Sequence, residues 1–154
     1  MNAKRYLPGL LLMVAASAAV AGAPANADTC IPVIQKAWIR AAPPGAMMRA
    51  GYATVKNPCG KPVVIVGVES LDFKGAMIHR TILENGVSQM RSADRLEVKA
   101  HGELQFSPGN LHMMLLQPVR TLPEGSRVRI YLLLEDGRKL SADYPVQREA
   151  PTHL

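Results

Sequence analysis

The amino-acid sequence predicts an all-β domain of the sandwich or barrel type. Beyond residue 28, short apolar or alternating runs recur, and Pro, Gly and Asn separate them. Such runs are typical of strands joined by turns, whereas helical periodicity is hard to find among them. A length of 154 residues suits one domain with one core.

The first predicted strands are residues 31–40 and 50–56, which flank a loop that contains Pro43-Pro44-Gly45. Asn57-Pro58 ends the second strand, because proline cannot donate a ladder hydrogen bond. The run VVIVGV at 63–68 is rich in β-branched residues and predicts a buried strand.

A hairpin is predicted where residues 76–83 and 87–91 flank Asn85-Gly86. This dipeptide accepts the positive φ angles of a tight hairpin turn, so the two strands should lie side by side. Further short runs follow at 96–98, 103–106 and 111–116.

The last two runs, 127–134 and 139–146, flank Asp136-Gly137, which is another hairpin signal. Together the runs predict nine or ten short strands. That number suits a Greek-key sandwich.

The first 27 residues have the layout of a secretory signal peptide, with Lys4 and Arg5 before an apolar run at 10–20. Ala25-Asn26-Ala27 fits the small-x-small cleavage rule, and an alternative site lies a few residues earlier at 21–23. The apolar run is shorter than the roughly 20 residues of a membrane span. We therefore expect cleavage and no stable membrane insertion.

The expected organisation is a signal peptide at 1–27, a β-sandwich domain at 28–147 and a short frayed tail at 148–154. Loss of the leader lowers the formal net charge from +6 to +4, and no basic stripe with interleaved aromatic residues remains. Nucleic-acid binding is therefore not expected. A hydrophobic content of 48% excludes an extended disordered chain.

Cys30 and Cys59 are expected to form a disulfide, because an exported protein meets an oxidising compartment. Closing a loop of about 30 residues would stabilise the fold by roughly 3.5 kcal/mol. A redox pair is the alternative, but the Cys-x-x-Cys spacing is absent. The residues before Cys30 do not resemble a lipoprotein cleavage box. Two cysteines also exclude zinc and iron–sulfur sites built from thiolates.

Strand alternation singles out His112 and Met114. Leu111, Met113 and Leu115 should share the core face, so His112 and Met114 should lie together on the other face. Met113 is interpreted as core filler, since an isolated Met in a β protein usually packs inside.

The same alternation places His79 on the outward face of its strand, together with Met77 and Thr81. Met90 lies across the Asn85-Gly86 hairpin on the neighbouring strand, so it can approach His79. Two His and two Met can then converge if these strands meet at one end of the sandwich. Met77 could be a spare ligand or a residue at the rim.

Such a donor set prefers Cu(I), because thioethers are soft neutral ligands and imidazole completes the shell. Zinc sites use Cys, His and carboxylate instead. A blue-copper electron carrier needs a Cys ligand, and no Cys lies between His79 and Met114. The other candidates have simpler interpretations: surface groups for His101 and His153, and loop residues for Met47 and Met48.

His79, ten residues, Met90, twenty-one residues and then His112-x-Met114 form a spacing that resembles the periplasmic copper chaperones known as PCu(A)C. The surroundings are similar from about Val33 to Val146. They include the segments Glu84-Asn85-Gly86-Val87, Leu96-Glu97-Val98, Ser107-Pro108-Gly109-Asn110 and Leu122-Pro123-Glu124-Gly125.

The resemblance implies a cupredoxin-like Greek-key β-sandwich that binds one Cu(I) through His79, Met90, His112 and Met114. It implies a monomeric metallochaperone and not an enzyme. The copper would pass to the binuclear copper centre of the cytochrome c oxidase subunit facing the periplasm, in cooperation with thioredoxin-like assembly proteins.

Two features differ from relatives. Arg80 stands where many of them have a Met directly after the first His, and this chain ends Ala150-Pro151-Thr152-His153-Leu154 where some of them carry a His/Met-rich tail that binds a further Cu(II). Two other functions stay open on the sequence. One is a β-sandwich interaction module without metal, and the other is a thiol–disulfide reductase acting on oxidase cysteines.

Overall fold

The computed structural model describes residues 30–151, which form ten β-strands. They are β1 (Val33–Arg40), β2 (Met48–Lys56), β3 (Val63–Glu69), β4 (Phe73–Glu84), β5 (Val87–Ser92), β6 (Leu96–Val98), β7 (Glu103–Phe106), β8 (Leu111–Pro118), β9 (Arg127–Leu134) and β10 (Lys139–Gln147). Within this range no helix could cross a membrane. The expected signal peptide at 1–27 lies outside the described residues.

A strand is present at every predicted run, and the largest differences are at strand ends. β4 begins at Phe73 and β8 continues to Pro118 because these two residues pair, so both strands extend together beyond the predicted ends. β2 begins at Met48, which pairs with Leu116. The prediction that Met48 lies in a loop is therefore wrong.

The strands form two layers, and β10 connects them. One layer has the order β5-β4-β8-β2-β1, with β7 beside the end of β2, and the other has the order β10-β9-β3-β6. β10 pairs with β9 along most of its length, and its last residues, Val146 and Gln147, pair in parallel with the end of β1. The all-β sandwich prediction is confirmed.

The core lies between the layers and takes side chains from both. Alternate positions along each strand face it, as the two-residue period of a strand requires. The largest fully buried side chains are Tyr144, Ile39, Ile65, Leu111, Met113, Leu115, Ile130, Leu132, Val55, Val98, Val128 and Val146.

Both hairpins have the positive φ angles that their sequences predict, in different forms. Asn85 and Gly86 have φ of 52° and 78°, as a two-residue type I′ turn requires. At the second hairpin only Gly137 has a positive φ, and its N–H donates to the carbonyl oxygen of Leu134. That pattern is a wider turn closed by a bulge.

Cys30 and Cys59 form a disulfide with their Cα atoms 5.6 Å apart, as the sequence predicts. The bond ties the segment before β1 to the loop after β2. Asn57 organises that loop, because its side-chain amide donates to the carbonyl oxygens of Lys61, Val98 and Lys99 at 2.8, 3.1 and 3.1 Å.

Candidate metal centre

The antiparallel register of β4 and β8 brings the predicted residues of these two strands together. His79 lies opposite His112, and Met77 lies opposite Met114. Directly opposed residues of an antiparallel pair point to the same face of the sheet. These four side chains therefore share one face.

Met90 joins this face from the neighbouring strand β5. It lies opposite Thr81, which is two residues from His79 and so points the same way. Met90 and His79 are diagonal neighbours, a relationship that long side chains can bridge. The side chain of Met90 is 62% exposed, so it forms the open edge of the group.

Burial confirms the predicted faces of β8. Leu111, Met113 and Leu115 are fully buried in the core, while Met114 on the other face is half-buried. His112 is only 5% exposed although it faces away from the core. The sequence pattern indicates its direction but not this degree of burial.

The imidazole of His112 has a fixed orientation. Its Nδ1 lies 2.9 Å from the carbonyl oxygen of Asn110. A carbonyl oxygen only accepts hydrogen bonds, so Nδ1 is the donor, and in the neutral imidazole the lone pair is then on Nε2. A hydrogen bond of this kind is the usual way a protein orients a metal-binding histidine.

The ring of His79 stands edge-on to that of His112, with the centroids 6.2 Å apart and the planes at 86°. Nδ1 of His79 is buried and has no hydrogen-bond partner within residues 30–151. Buried polar nitrogens are normally paired. An unpaired one next to a second imidazole and several thioethers fits a metal ligand.

The candidate donors on this face are two imidazoles and two thioethers, with a third thioether from Met77 beside them. No group of three or more His, Cys, Asp or Glu in the described range could hold a metal ion. Thioether and neutral imidazole donors favour Cu(I) over hard divalent cations.

Met48 is a further methionine on the face of the predicted ligands. Met48 lies two residues before Ala50, which pairs with Met114, so Met48 points to the same face. Sequence analysis missed this placement because the strand start depends on pairing with β8. Met77 is 40% exposed and Met47 is 57% exposed.

The remaining sequence candidates lie elsewhere. His101 is exposed in a turn with φ of 56°, in agreement with its interpretation as a surface group. His153 is outside the described residues. Arg80 follows His79 and so points to the opposite face, where it pairs with Arg91 in the register. The replacement of Met by Arg there removes no donor from the shared face.

Comparisons with known proteins agree with this arrangement. The family described as "Putative lipoprotein LpqE-like" matches residues 33–146. "Putative lipoprotein Lxx21020" from Leifsonia xyli subsp. xyli (strain CTCB07) is 30% identical over 115 residues, which are 74% of this chain and 68% of that protein. "Uncharacterized protein RP573" from Rickettsia prowazekii (strain Madrid E) is 28% identical over 103 residues, 66% of this chain and 57% of that protein.

Solved structures of PCuAC domains have the same fold. The solution structure of CuI-DR1885 from Deinococcus radiodurans is 28% identical with a TM-score of 0.62, and the match covers 79% of this chain and 82% of that one. The copper-bound PCuAC domain from PmoF2 is 24% identical with a TM-score of 0.61, covering 77% and 92%. The cupredoxin-like fold and the resemblance to PCu(A)C proteins are confirmed. The chain belongs to the LpqE-like family, and its described domain has the fold of PCuAC domains.

Proposed function

We propose that this protein is an exported metallochaperone that carries one Cu(I) ion bound by His79, Met90, His112 and Met114. The observation that carries the proposal is the strand register, which sets two histidines opposite each other with methionines on both sides of them. The likeness to DR1885, whose solved form is described as CuI-bound, supports it.

The donor chemistry suits a carrier. Neutral thioethers and imidazoles bind Cu(I) without the anionic sulfur that would hold it permanently. Nε2 of His112 and the buried Nδ1 of His79 are available nitrogens. Exposed Met90 lies at the edge, so an acceptor can displace the outer ligand first.

We propose that residues 1–27 direct export to the periplasm and are then cleaved. The protein works there as a monomer, with residues 28–147 as the copper-binding domain. The family description includes the word lipoprotein. In this chain both cysteines are joined in one disulfide, so neither thiol is available for a lipid.

The proposed acceptor is the binuclear copper centre of cytochrome c oxidase, loaded with the help of thioredoxin-like assembly proteins. The chaperone itself has no free thiol pair in its disulfide-bonded form. Reduction of the acceptor cysteines would therefore fall to the assembly proteins, while this protein supplies the metal.

Anaerobic titration with Cu(I) against a competing chromophoric ligand tests the proposal. We expect one ion per chain and a loss of affinity of at least tenfold in Met90→Leu. Met47→Leu is the matched control, because Met47 is almost equally exposed but lies in the β1–β2 loop. If the protein removes no Cu(I) from the competing ligand, the result would favour the interaction module without metal.

Delivery is tested by mixing the Cu(I)-loaded protein with a soluble, metal-free domain of the oxidase subunit whose cysteines are reduced. We expect two Cu(I) ions to move to each acceptor domain, and the visible absorption of the mixed-valence binuclear centre to appear once a one-electron oxidant is added. Copper that stays with this protein after mixing would argue against delivery. With the acceptor cysteines oxidised, reduction by this protein alone would indicate the reductase instead.

A further inference from the structure

The structure contains a buried arginine whose charge the described residues leave unpaired. Arg49 on β2 is only 7% exposed, and its Nε and Nη1 are buried without a hydrogen-bond partner. Within residues 30–151 no salt bridge includes it. A buried guanidinium is normally paired, because desolvating a charge is costly.

Arg49 points to the core side of the sheet, away from the candidate metal centre. It lies opposite Leu115, a core residue, whereas Met114 next to Leu115 faces the other way. Gly51 and Ala53 are the next residues on the core side of β2, and both are small and uncharged. Arg49 is therefore a charged side chain on an otherwise uncharged face.

Arg49 is one of the residues that line a cleft of about 490 Å³ at this end of the sandwich. The β1–β2 loop forms one wall and the β8–β9 connection forms the other. The apolar lining includes Pro44, Met47, Val119, Leu122 and Pro123. The volume is in the range of sites that hold small organic molecules.

The charges around the cleft define the ligand further. None of the described residues that line it is acidic. Its second arginine, Arg120, is already engaged, because it pairs with Asp72 and donates to the carbonyl oxygen of Arg127 at 3.0 Å. Arg49 is thus the cation with unmet donors.

We propose that this cleft binds a small organic monocarboxylate with an apolar body, and that the carboxylate pairs with Arg49. A guanidinium forms charge-assisted hydrogen bonds to a carboxylate. A zwitterionic amino acid fits less well, because its ammonium group would have no acidic partner. A divalent oxyanion would bring more charge than one free arginine balances.

Thermal unfolding of the metal-free protein at constant ionic strength tests the proposal, with 4-methylpentanoate as the probe. A ligand that binds only the folded state raises the unfolding midpoint with its concentration. We expect this rise with the carboxylate, and none with 4-methylpentanamide or with sulfate. In Arg49→Met the dissociation constant should increase at least tenfold, and in Arg120→Met less than threefold.

An equal response of wild type and Arg49→Met would overturn the proposal, as would equal stabilisation by sulfate. Backbone amide chemical shifts of the wild-type protein provide the second measurement if Arg49→Met does not fold. We expect the carboxylate to shift signals of residues 44–49 and 119–122. Shifts confined to other parts of the chain would place the anion elsewhere and refute the site.

Discussion

His79 and His112 lie directly opposite each other on β4 and β8, with their ring centroids 6.2 Å apart. Behind them, Ile78 and Met113 are also opposed and are buried in the core. A slip of either strand by one residue would turn its histidine to the wrong face and move its core residue out of the core. The packing of the core therefore holds the candidate metal centre in register.

The adjacent residues Met113 and Met114 should respond differently to the same substitution. Met114→Leu removes a thioether from the shared face, so we expect Cu(I) affinity to fall at least tenfold. Met113→Leu changes only core packing and should leave affinity nearly unchanged. Both should cost less than about 1.5 kcal/mol of unfolding free energy, since the replacement conserves volume and apolarity.

Competition titrations with Cu(I) and urea unfolding check this pair. Met113→Ala is the complementary variant, and it should destabilise by about 2 to 5 kcal/mol because Met113 is completely buried. Equal loss of affinity in the two Leu variants would show that the ligand assignment is wrong.

Met77 is expected to replace Met114 in part when that ligand is lost. The two side chains are directly opposed, so their sulfur atoms can reach the same space. Met77→Leu alone should reduce Cu(I) affinity less than threefold. In the Met114→Leu background it should reduce affinity at least tenfold further, as measured by the same titration. Additive effects in the double variant would indicate that Met77 is only a rim residue.

Local sequence patterns were sufficient for the faces of the site strands. The leucines on either side of Met113 mark the core side of β8, and the Asn85-Gly86 turn fixes the position of Met90 relative to β4. Both inferences depend on short-range geometry: alternation along a strand and the length of a tight turn.

Features that depend on pairing between distant segments could not be predicted from those patterns. The pairing of His79 with His112 joins strands from separate parts of the sequence, and only the family spacing anticipated it. Met48 and the buried Arg49 were not identified, because the start of β2 and its partner strand are set by packing of the whole sandwich.

The Cys30–Cys59 disulfide should stabilise the fold without taking part in metal binding. It lies in the loop after β2, outside the face that carries His79 and His112. Replacing both cysteines with Ser should lower the unfolding free energy by a few kcal/mol, about 3.5 on the loop-entropy estimate. The Cu(I) stoichiometry should stay at one per chain, and a lower stoichiometry in the folded variant would contradict this prediction.

Buried Asn57 should contribute more to stability than asparagine or glutamine residues on the surface. Its side chain donates to three backbone carbonyl oxygens and accepts a hydrogen bond from the backbone N–H of Cys59 at 3.2 Å. Asn57→Ala leaves these buried groups unpaired, so we expect a loss of at least about 2 kcal/mol in urea unfolding. Gln105→Ala, at an exposed position of β7, should change stability by less than about 0.5 kcal/mol.

Tyr144 should make the protein less stable at alkaline pH. Burial raises the pKa of its hydroxyl well above the ordinary value of 10.0, and the buried oxygen has no hydrogen-bond partner within residues 30–151. Above pH 10 the unfolded chain therefore releases this proton while the folded chain retains it. The unfolding free energy should then fall by about 1.4 kcal/mol per pH unit from this group alone.

Tyr144→Phe removes both the proton and the unpaired hydroxyl, and it keeps the aromatic ring in the core. We expect its stability at pH 8 to equal or exceed that of the wild type, since an unpaired buried hydroxyl is unfavourable. Urea unfolding at pH 8, 10 and 11 compares the two proteins, so that lysines and the other tyrosines contribute equally to both. The difference in unfolding free energy should grow in favour of Tyr144→Phe as the pH rises above 10. A constant difference across this range would mean that the hydroxyl of Tyr144 ionises in the folded protein as readily as in the unfolded chain.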